Sequence, residues 1–310
     1  MDKNIKFGVV GVGHLGKFHV QQIKKVSQTS LCGVYDLDYK KALSVANQHQ
    51  TKAYKNLEDL LCVCSAVSVV VSTPFHCKVA TQALMNNCHV FIEKPITNNI
   101  SDAKRLIALA KEKHKKIQVG HIERFNPAYK AYCVGEHKPL FIECNRLAPY
   151  NVRGSDVPVV LDLMIHDIDL ILHLVQKPLI SIHASGASVI SDYVDLANAR
   201  LLFKGGVTAN LTASRISTKQ LRQMRVFEKN CYTALDFQEH TLKKLNLNVN
   251  KKFVTQKVEV ESGNALFWEL ESFIKCIITD SETLIDGEQG LHALEIAMEI
   301  QGLIEKQQNT

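Results

Sequence analysis

Long uncharged apolar runs are missing from this sequence of 310 residues. The most membrane-like stretch, residues 157–175, contains three aspartates and two histidines, which are too many ionisable groups for a span in lipid. This stretch predicts a buried helix instead. The first residues run directly into a strand-like segment at 5–10, with no room for the apolar core and cleavage site of a signal peptide. We therefore expect a cytoplasmic protein without a membrane span.

A strong charge of either sign is also missing. The 37 lysines and arginines exceed the 31 aspartates and glutamates by six, which falls short of a nucleic-acid-binding composition. The densest basic group is Lys111, Lys113, Lys115 and Lys116. It ends a predicted helix, where cations complement exposed carbonyl groups. The composition therefore favours a small-molecule ligand, and the mild positive excess suits an anionic one.

No CxxC pair occurs among the nine cysteines. Cys62, Cys64, Cys77 and Cys88 are the most closely spaced, but each lies in an apolar run, where burial of a free thiol is more common than zinc binding. Because the chain shows no export signal, we expect reduced thiols and no metal site.

The first 120 residues alternate short β-branched runs with helix-like segments. The predicted strands are residues 6–10, 30–35, 66–71, 89–92 and 117–120. The predicted helices lie near residues 14–26, 37–48, 57–63, 76–87 and 101–114. Such alternation predicts a parallel sheet covered on both faces, and hence a doubly wound α/β domain of the Rossmann type over residues 1–121.

After residue 121 the pattern changes to that of an α+β domain, which we expect to occupy residues 122–310. A helix is predicted near 126–134, a strand at 139–147 and a long helix at 157–175, followed by mostly extended segments. Residues 197–203, 207–213 and 224–228, separated by the turns Lys204-Gly205-Gly206 and Lys229-Asn230, predict antiparallel hairpins. Helices near 264–278 and 287–305 close the chain, and packing of the last helix on the first domain stays open.

A glycine-rich turn follows the first predicted strand. Gly11, Gly13 and Gly16 have the GxGxxG spacing, in which the glycines allow a tight turn, close approach of a pyrophosphate, and close helix–strand packing. The pyrophosphate then lies at the N-terminus of the following helix. The candidate cofactor-binding residues of this turn are Gly11, Val12, Gly13, His14, Leu15 and Gly16.

Asp36 ends the second predicted strand, twenty residues after Gly16. A carboxylate at this place accepts hydrogen bonds from the adenosine ribose and repels a 2′-phosphate, which favours NAD over NADP. The segment from Gly11 to Lys17 also matches the start of a P-loop. Phe18 stands where a P-loop needs Ser or Thr for Mg²⁺, so phosphoryl transfer is disfavoured.

Three further polar residues suggest chemistry. Lys94 follows an apolar strand at the sheet edge where ligands bind, although a surface lysine would give the same pattern. Asp162 and His166 are four residues apart, on one face of a helix. An imidazole can take the proton of an alcohol as its hydride leaves, and a carboxylate can orient it. A buried Asp–His pair without a catalytic role is an equally open alternative.

Together these residues resemble the glucose-fructose oxidoreductase / inositol dehydrogenase (Gfo/Idh/MocA) family along essentially the whole chain. The Glu93-Lys94-Pro95 segment matches the family's EKP signature, Thr73-Pro74-Phe75-His76 matches the loop after its fourth strand, and Asp162 with His166 matches its catalytic pair.

The family resemblance implies NAD-dependent oxidation of a CH–OH group in a sugar or polyol, with Lys94, Asp162 and His166 around the reacting carbon. The cofactor contacts that it implies after the strands are Ser72, Thr73, His76, Glu93 and Lys94. It also implies a large open sheet in the second domain that supplies the interface of a homodimer or homotetramer.

Residues 119–127 and 145–150, with 160–169, are similar to a narrower branch of that family. Its members oxidise the 3-hydroxyl of UDP-N-acetylglucosamine to a ketone, which an aminotransferase then uses in making lipid A precursors. The substrate contacts that this resemblance implies are Arg124, Asn126, Arg146, Tyr150 and Arg153. Guanidinium groups suit a diphosphate, although arginines in loops are usually only solvated.

Other functions stay open on the sequence alone. They are a dehydrogenase of a free sugar or inositol, a reductase of a non-sugar acceptor such as biliverdin, and a non-catalytic NAD-sensing regulator. The reductase has no need of Asp162 and His166 beside Lys94, and the regulator would be expected to lack Lys94 or His166.

Overall fold

The computed structural model describes residues 4–151, 157–248 and 250–308. The chain divides into two compact units. The first unit consists of Met1–Ile122 and Asn264–His292, and the second of Glu123–Gly263 and Ala293–Thr310, as far as these ranges are described. None of the helices in the described residues has the length and apolar character needed to cross a membrane.

The first unit contains a six-stranded parallel sheet. Its strands are β1 (Ile5–Val10), β2 (Thr29–Tyr35), β3 (Ala53–Tyr54), β4 (Ala66–Val69), β5 (His89–Glu93) and β6 (Ile117–Gly120). Their order is β3-β2-β1-β4-β5-β6, the order of a dinucleotide-binding Rossmann sheet. The chain leaves β1 and β4 in opposite directions, so a crevice opens at their carboxyl ends, where such folds bind ligands. This confirms the predicted fold class for the first domain.

Helices cover the sheet of the first unit. They are α1 (His14–Ile23), α2 (Tyr39–His49), α3 (Leu57–Leu61), α4 (His76–Met85) and α5 (Ile100–Glu112). Side chains cap the start of two of them, α2 and α5. Asp38 accepts the N–H groups of Lys40 and Lys41 at the start of α2, and Asn99 accepts that of Asp102 at the start of α5. On one face of the sheet, Val9 and Val34 pack with apolar residues of α2.

A helix from the end of the chain completes the first unit. This helix, α8 (Ala265–Thr279), places Phe273 edge-on against Phe7 and Phe91 of the parallel sheet. The expected division at residue 121 is therefore wrong for residues 264–292, which belong to the first unit. The reason is the apolar face of α8, which buries Leu270 and Ile274 in the same core. The penultimate helix, α8, and the first residues of the last helix, 287–292, both belong to the first unit.

The second unit combines helices with an eight-stranded sheet. Its helices are α6 (Pro127–Tyr132), α7 (Ile165–Val175) and most of α9 (Gly287–Gln308), and a π-helical turn, Val160–Met164, precedes α7. Its strands are β7 (Phe141–Leu147), β8 (Leu179–Ala187), β9 (Leu196–Phe203), β10 (Thr208–Ser214), β11 (Leu221–Glu228), β12 (Cys231–Asp236), β13 (Thr241–Leu247) and β14 (Phe253–Val258).

The sheet of the second unit is open and mostly antiparallel, as expected. Its order is β14-β13-β12-β11-β7-β10-β9-β8, and among these neighbours only β7 and β10 run parallel. The predicted turns are present: Gly205 and Gly206 have φ of +88° and +84° between β9 and β10, and Asn230 has φ of +62° between β11 and β12. Alternate residues of the central strands are buried against α6, α7 and α9 in one core.

Candidate active site

The glycine-rich turn between β1 and α1 leaves a space for a ligand. Gly11 has a φ of +89°, and a Cβ there would collide with the carbonyl group of Val70. A Cβ on Gly16 would overlap the carbonyl oxygen of Gly11, so only glycine lets the helix pack this closely. A Cβ on Gly13 would meet no atom within 4 Å. Gly13 therefore borders the open space that a pyrophosphate needs at the N-terminus of α1.

Asp36, at the end of β2, is held by the backbone around this turn. Its Oδ2 accepts the N–H of Val12 at 2.9 Å, and its Oδ1 accepts the N–H of Asp38 at 2.9 Å. Each oxygen of an ionised carboxylate has a further lone pair, so both can also accept a ribose hydroxyl. The carboxylate is thus fixed in place before any ribose is bound.

A cleft of about 460 Å³ opens beside the glycine turn. The predicted cofactor residues that line it are Gly11, Gly13, Asp36 and Ser72. Leu57, Phe75 and Val79 give it apolar walls, which suit a planar base. The cleft, the open glycine and the fixed carboxylate together fit a dinucleotide.

Two lysines that no sequence motif singled out, Lys41 and Lys78, also line the cleft. Lys41 forms an exposed ion pair with Asp38, with Nζ 3.6 Å from Oδ2. Only the fold brings these lysines to the ligand space, because their sequence neighbourhoods are those of ordinary surface lysines. His14 and Leu15 lie in the exposed first turn of α1, and Thr73 begins a short 3₁₀ turn after β4.

His76, expected to contact the cofactor, is only 1% exposed. Its ring nitrogens face two backbone carbonyl oxygens, those of Pro95 at 2.9 Å and Val71 at 3.0 Å. Burial lowers its pKa, so the neutral ring that donates one hydrogen bond is favoured. We therefore revise the role of His76: its buried ring lies between the turn after β5 and the end of β4, donates to one of the two carbonyl oxygens, and supports the cleft from within the protein.

Glu93 ends β5 and Lys94 follows it, at the same edge of the sheet as the glycine turn. Both side chains are partly buried. Glu93 Oε2 accepts the backbone N–H of Lys94 at 3.3 Å. Burial raises the pKa of Glu93, but a hydrogen bond from His19 and electrostatic interactions with His19, Lys94 and His76 outweigh it, so the pKa lies below its ordinary value. The strand end therefore presents an ionised carboxylate beside a lysine.

Asp162 and His166 lie at the start of the long helix of the second unit. Asp162 belongs to the π-helical turn and His166 to the first turn of α7. Both side chains are partly exposed, whereas Val160, Met164 and Ile165 around them are buried. Wide π-turns inside helices are frequent at functional sites. The arrangement is compatible with a general base and an orienting carboxylate on one helix face.

Arg146, expected to contact substrate, is buried in β7 with 3% exposure. Its Nε and Nη2 donate to the two oxygens of Asp167 at 3.1 and 2.7 Å, and its Nη1 donates to Glu123 at 2.8 Å. Burial lowers the pKa of Arg146, but the two carboxylates outweigh it and the pKa lies above its ordinary value. Because its donors are already engaged, we reassign Arg146 as the anchor of α7 beside His166.

Arg124 and Asn126 are also engaged within the second unit. The guanidinium group of Arg124 donates two hydrogen bonds to the carboxylate of Asp169 on α7, with N–O distances of 2.7 and 2.6 Å. Asn126 is buried; its Nδ2 donates to Glu123 and to the carbonyl of Phe237, and its Oδ1 accepts at the start of α6. The resemblance to the narrower branch implied that these two residues contact the substrate. Their partners within the second unit leave no local signal in the sequence.

The last two expected substrate contacts lie after β7. Tyr150 is 41% exposed and open to a ligand. Arg153 lies outside the described residues. Among the described residues, no group of three or more His, Cys, Asp or Glu side chains is arranged to hold a metal ion. The nine cysteines form no disulfide bond.

Comparison with known proteins gives matches along nearly the entire chain. Residues 5–121 match the model of the oxidoreductase family with an NAD-binding Rossmann fold, and residues 148–230 match the GFO/IDH/MocA C-terminal domain. The UDP-N-acetylglucosamine 3-dehydrogenase of Acidithiobacillus ferrooxidans is 34% identical, over 97% of this chain and 98% of the relative. The chain belongs to the GFO/IDH/MocA oxidoreductase family.

Solved structures agree with the fold. The structure of the A. ferrooxidans enzyme superposes with a TM-score of 0.93 and covers 97% of this chain and 98% of its own. The scyllo-inositol dehydrogenase of Lactobacillus casei, with bound NAD(H) and scyllo-inositol, has a TM-score of 0.79 at 20% identity and 98% coverage of both chains, which shows the fold alone. The myo-inositol 2-dehydrogenase of Thermotoga maritima is 26% identical over 68% of this chain and 69% of the relative.

Membership of the family confirms the expected cofactor and enzyme class. The first unit is the NAD-binding Rossmann domain, and the chain is an oxidoreductase of the type that acts on CH–OH groups. The reductase of a non-sugar acceptor and the non-catalytic regulator are less well supported than a sugar or polyol dehydrogenase.

Proposed function

We propose that this chain oxidises the 3-hydroxyl of UDP-N-acetylglucosamine, with NAD⁺ as hydride acceptor. The observation that carries the proposal is 34% identity along 97% of the chain to an enzyme with that activity in its name. The TM-score of 0.93 with the structure of that enzyme supports it. The stretches around Arg124 and Tyr150, which resemble the branch of the family that oxidises this nucleotide sugar, also support the proposal.

Each of three residues has a separate task in the proposed reaction. His166 takes the proton of the 3-hydroxyl, because a neutral imidazole is a base near physiological pH. Asp162 orients the His166 ring and stabilises its charged form. Lys94, at the end of β5, donates a hydrogen bond to the sugar oxygen as negative charge develops there. Bound NAD⁺ supplies the acceptor for the hydride that leaves the sugar carbon.

The first unit holds the cofactor in this proposal. The N-terminus of α1 and the turn at Gly13 receive the pyrophosphate, and Asp36 accepts hydrogen bonds from the adenosine ribose. Ser72 and Thr73 border the cofactor from the loop after β4. On the substrate side, Tyr150 is the exposed residue among the described candidates.

An assay with the purified protein tests the proposal. Protein, NAD⁺ and UDP-N-acetylglucosamine are mixed with an aminotransferase and its amino donor, which remove the ketone, and NADH absorbance is followed. We expect NADH to form, and to form at least about a hundredfold more slowly with Lys94→Ala or His166→Asn. A strong signal with inositol or a free sugar, and none with the nucleotide sugar, would overturn the substrate while leaving the oxidoreductase class intact.

The wider setting of this activity is also part of the proposal. The ketone product is a substrate for an aminotransferase, and the resulting amino sugar would enter lipid A synthesis in the cytoplasm.

The uncovered face of the eight-stranded sheet would form the interface of a homodimer or homotetramer. Sedimentation of the purified protein measures this directly, and a monomer at micromolar concentration would contradict it.

A further inference from the structure

A buried hydrogen-bonded chain links three elements of the first unit behind the cleft. His19 lies on α1, three residues after Gly16, and is 1% exposed. Its Nε2 is 3.0 Å from Oε1 of Glu93 at the end of β5. Its Nδ1 is 3.2 Å from Oγ of Ser68 on β4, a residue with no exposed surface. No motif singled out His19 or Ser68.

The partners of the His19 ring decide which nitrogen carries the proton. An ionised carboxylate only accepts hydrogen bonds, so Nε2 of His19 must carry a hydrogen and donate it to Glu93. In a neutral ring Nδ1 is then an acceptor, and the Ser68 hydroxyl can donate to it. With this direction both ring nitrogens of His19 and the buried Ser68 hydroxyl have a hydrogen-bond partner, as buried polar groups require. The Ser68 hydroxyl therefore favours the tautomer that serves Glu93.

Glu93 is confined on its other sides as well. Its Oε2 accepts the N–H of Lys94, and a Cβ on Gly120 of β6 would come within 3.1 Å of its carboxyl group. The titratable groups that face it are His19 from α1, Lys94 from its own strand end and His76 from α4. Of these, His19 donates a side-chain hydrogen bond to Oε1 of Glu93 at 3.0 Å.

We propose that His19 is a positioning residue: it holds the Glu93 carboxylate in place, and Glu93 in turn keeps the Lys94 backbone and ammonium in their working positions. The proposal rests on the role of Lys94 in the proposed function, but not on which sugar is oxidised. Because the phosphate-binding turn leads directly into α1, the same contact ties α1 and this turn to the end of β5, which Lys94 follows.

Two conservative variants separate positioning from space filling. In His19→Gln the amide nitrogen reaches the place of the imidazole Nε2 and can still donate to Glu93. In His19→Asn the shorter amide reaches only the place of Nδ1 and leaves Glu93 without its donor. We expect His19→Asn to lower kcat/KM about tenfold to a hundredfold and to weaken NADH binding about fivefold or more, with His19→Gln within about threefold of the parent.

The pH dependence of kcat distinguishes the two roles of His19, because a side chain that only fills space would not change it. The His19 hydrogen bond favours the ionised form of Glu93, so its loss raises the pKa of Glu93 towards the value set by burial. We expect the acidic limb of kcat against pH to move to higher pH in His19→Asn and to stay in place in His19→Gln. Equal effects of both variants on kcat, NADH binding and melting temperature, with unmoved profiles, would overturn the proposal.

The controls keep the test decisive. His89 lies at the opposite end of β5, where its Nδ1 accepts the N–H of Lys116, and His89→Asn is expected to leave kinetics and NADH binding unchanged. If His19→Asn does not fold, Ser68→Ala removes the hydroxyl that favours the donating tautomer, and a shift of its acidic limb in the same direction is expected. An unmoved limb in Ser68→Ala would then overturn the proposal.

NADH titration by fluorescence needs no sugar. A failure to oxidise UDP-N-acetylglucosamine would therefore count against the proposed substrate, whereas equal NADH affinity of the parent, His19→Asn and Ser68→Ala would count against the role of His19.

Discussion

Gly13 and Gly16 have different surroundings, so alanine should have a different effect at each. A Cβ on Gly16 would overlap the carbonyl of Gly11, and we expect Gly16→Ala to destabilise the protein by about 1–3 kcal/mol. A Cβ on Gly13 meets only open space, so Gly13→Ala should fold normally but weaken NADH binding about tenfold or more. Thermal melts with NADH titrations measure both effects. A normal melt for Gly16→Ala, or unchanged NADH affinity in Gly13→Ala, would contradict this assignment.

Asp36 should determine the choice between NAD and NADP. Its carboxylate accepts two backbone N–H groups and is placed to accept ribose hydroxyls, while its charge repels a 2′-phosphate. Asp36→Asn keeps the shape and one acceptor oxygen but removes the charge. We expect the KM for NAD⁺ to rise about tenfold and the preference for NAD⁺ over NADP⁺ to fall by at least as much. An unchanged ratio of kcat/KM for the two cofactors would rule out this role.

The sequence indicates the surroundings of some candidate site residues and not of others, for a physical reason. The tasks of Gly11, Gly16 and Asp36 are local, because a turn, a helix start and a strand end lie within one short segment. The environment of Arg146 is not local, since Asp167 and Glu123 reach it only through the folded sheet. His19 was missed in the same way, because its partners come from β4 and β5.

At the scale of elements, the turn between β8 and β9 is organised by one carboxylate. Asp195 has no exposed surface, and its Oδ2 accepts the N–H groups of Val189, Ile190 and Ser191 at 2.7–2.9 Å. The Ser191 hydroxyl donates to the other oxygen at 2.6 Å. Burial raises the pKa of Asp195, but these hydrogen bonds outweigh it and lower the pKa to about 2.

This lowered pKa predicts how stability depends on pH. Because the folded pKa lies below the ordinary value of 3.8, Asp195 stabilises the fold above about pH 4, and this stabilisation is lost as the pH falls towards 2. We expect Asp195→Asn to lower stability at neutral pH by about 1–2 kcal/mol and to flatten the acid dependence of the melting temperature. Ser191→Ala, which keeps the carboxylate, should show a smaller change. Parallel acid profiles for the parent and Asp195→Asn would contradict the assignment.

Element boundaries were predictable where the pattern was long and regular. The βαβ alternation placed five of the parallel strands within two residues of their observed ends, because buried parallel strands are continuous apolar runs. The two-residue strand β3 was missed, since Ala53–Tyr54 carries no pattern of its own. The start of the long predicted helix is a π-turn, because a helical apolar pattern does not distinguish one helix type from another over five residues.

For the whole molecule, order along the chain and order in space differ. The domain boundary at residue 121, which was predicted from the change in the sequence pattern, lies close to the first boundary between the units in the structure, at Ile122. The return of residues 264–292 to the first unit was not predictable, because the apolar face of α8 would suit either core. Both units therefore contain residues distant in sequence, while the cofactor cleft and the Asp162–His166 helix each lie within one unit.

This division allows cofactor binding and turnover to be separated by one substitution. Arg146→Met would leave Asp167 and Glu123 buried without their cation, which typically costs about 3–5 kcal/mol, and would loosen the helix start that carries His166. None of these groups lines the cleft beside the glycine turn. We therefore expect a lower melting temperature and a kcat at least about tenfold lower, with NADH affinity within about twofold of the parent. Arg146→Lys keeps the charge but not the fork, so its losses should be intermediate. A parallel loss of NADH affinity and kcat in Arg146→Lys, at a temperature where it remains folded, would show that the buried ion pair supports the cofactor cleft as well as α7.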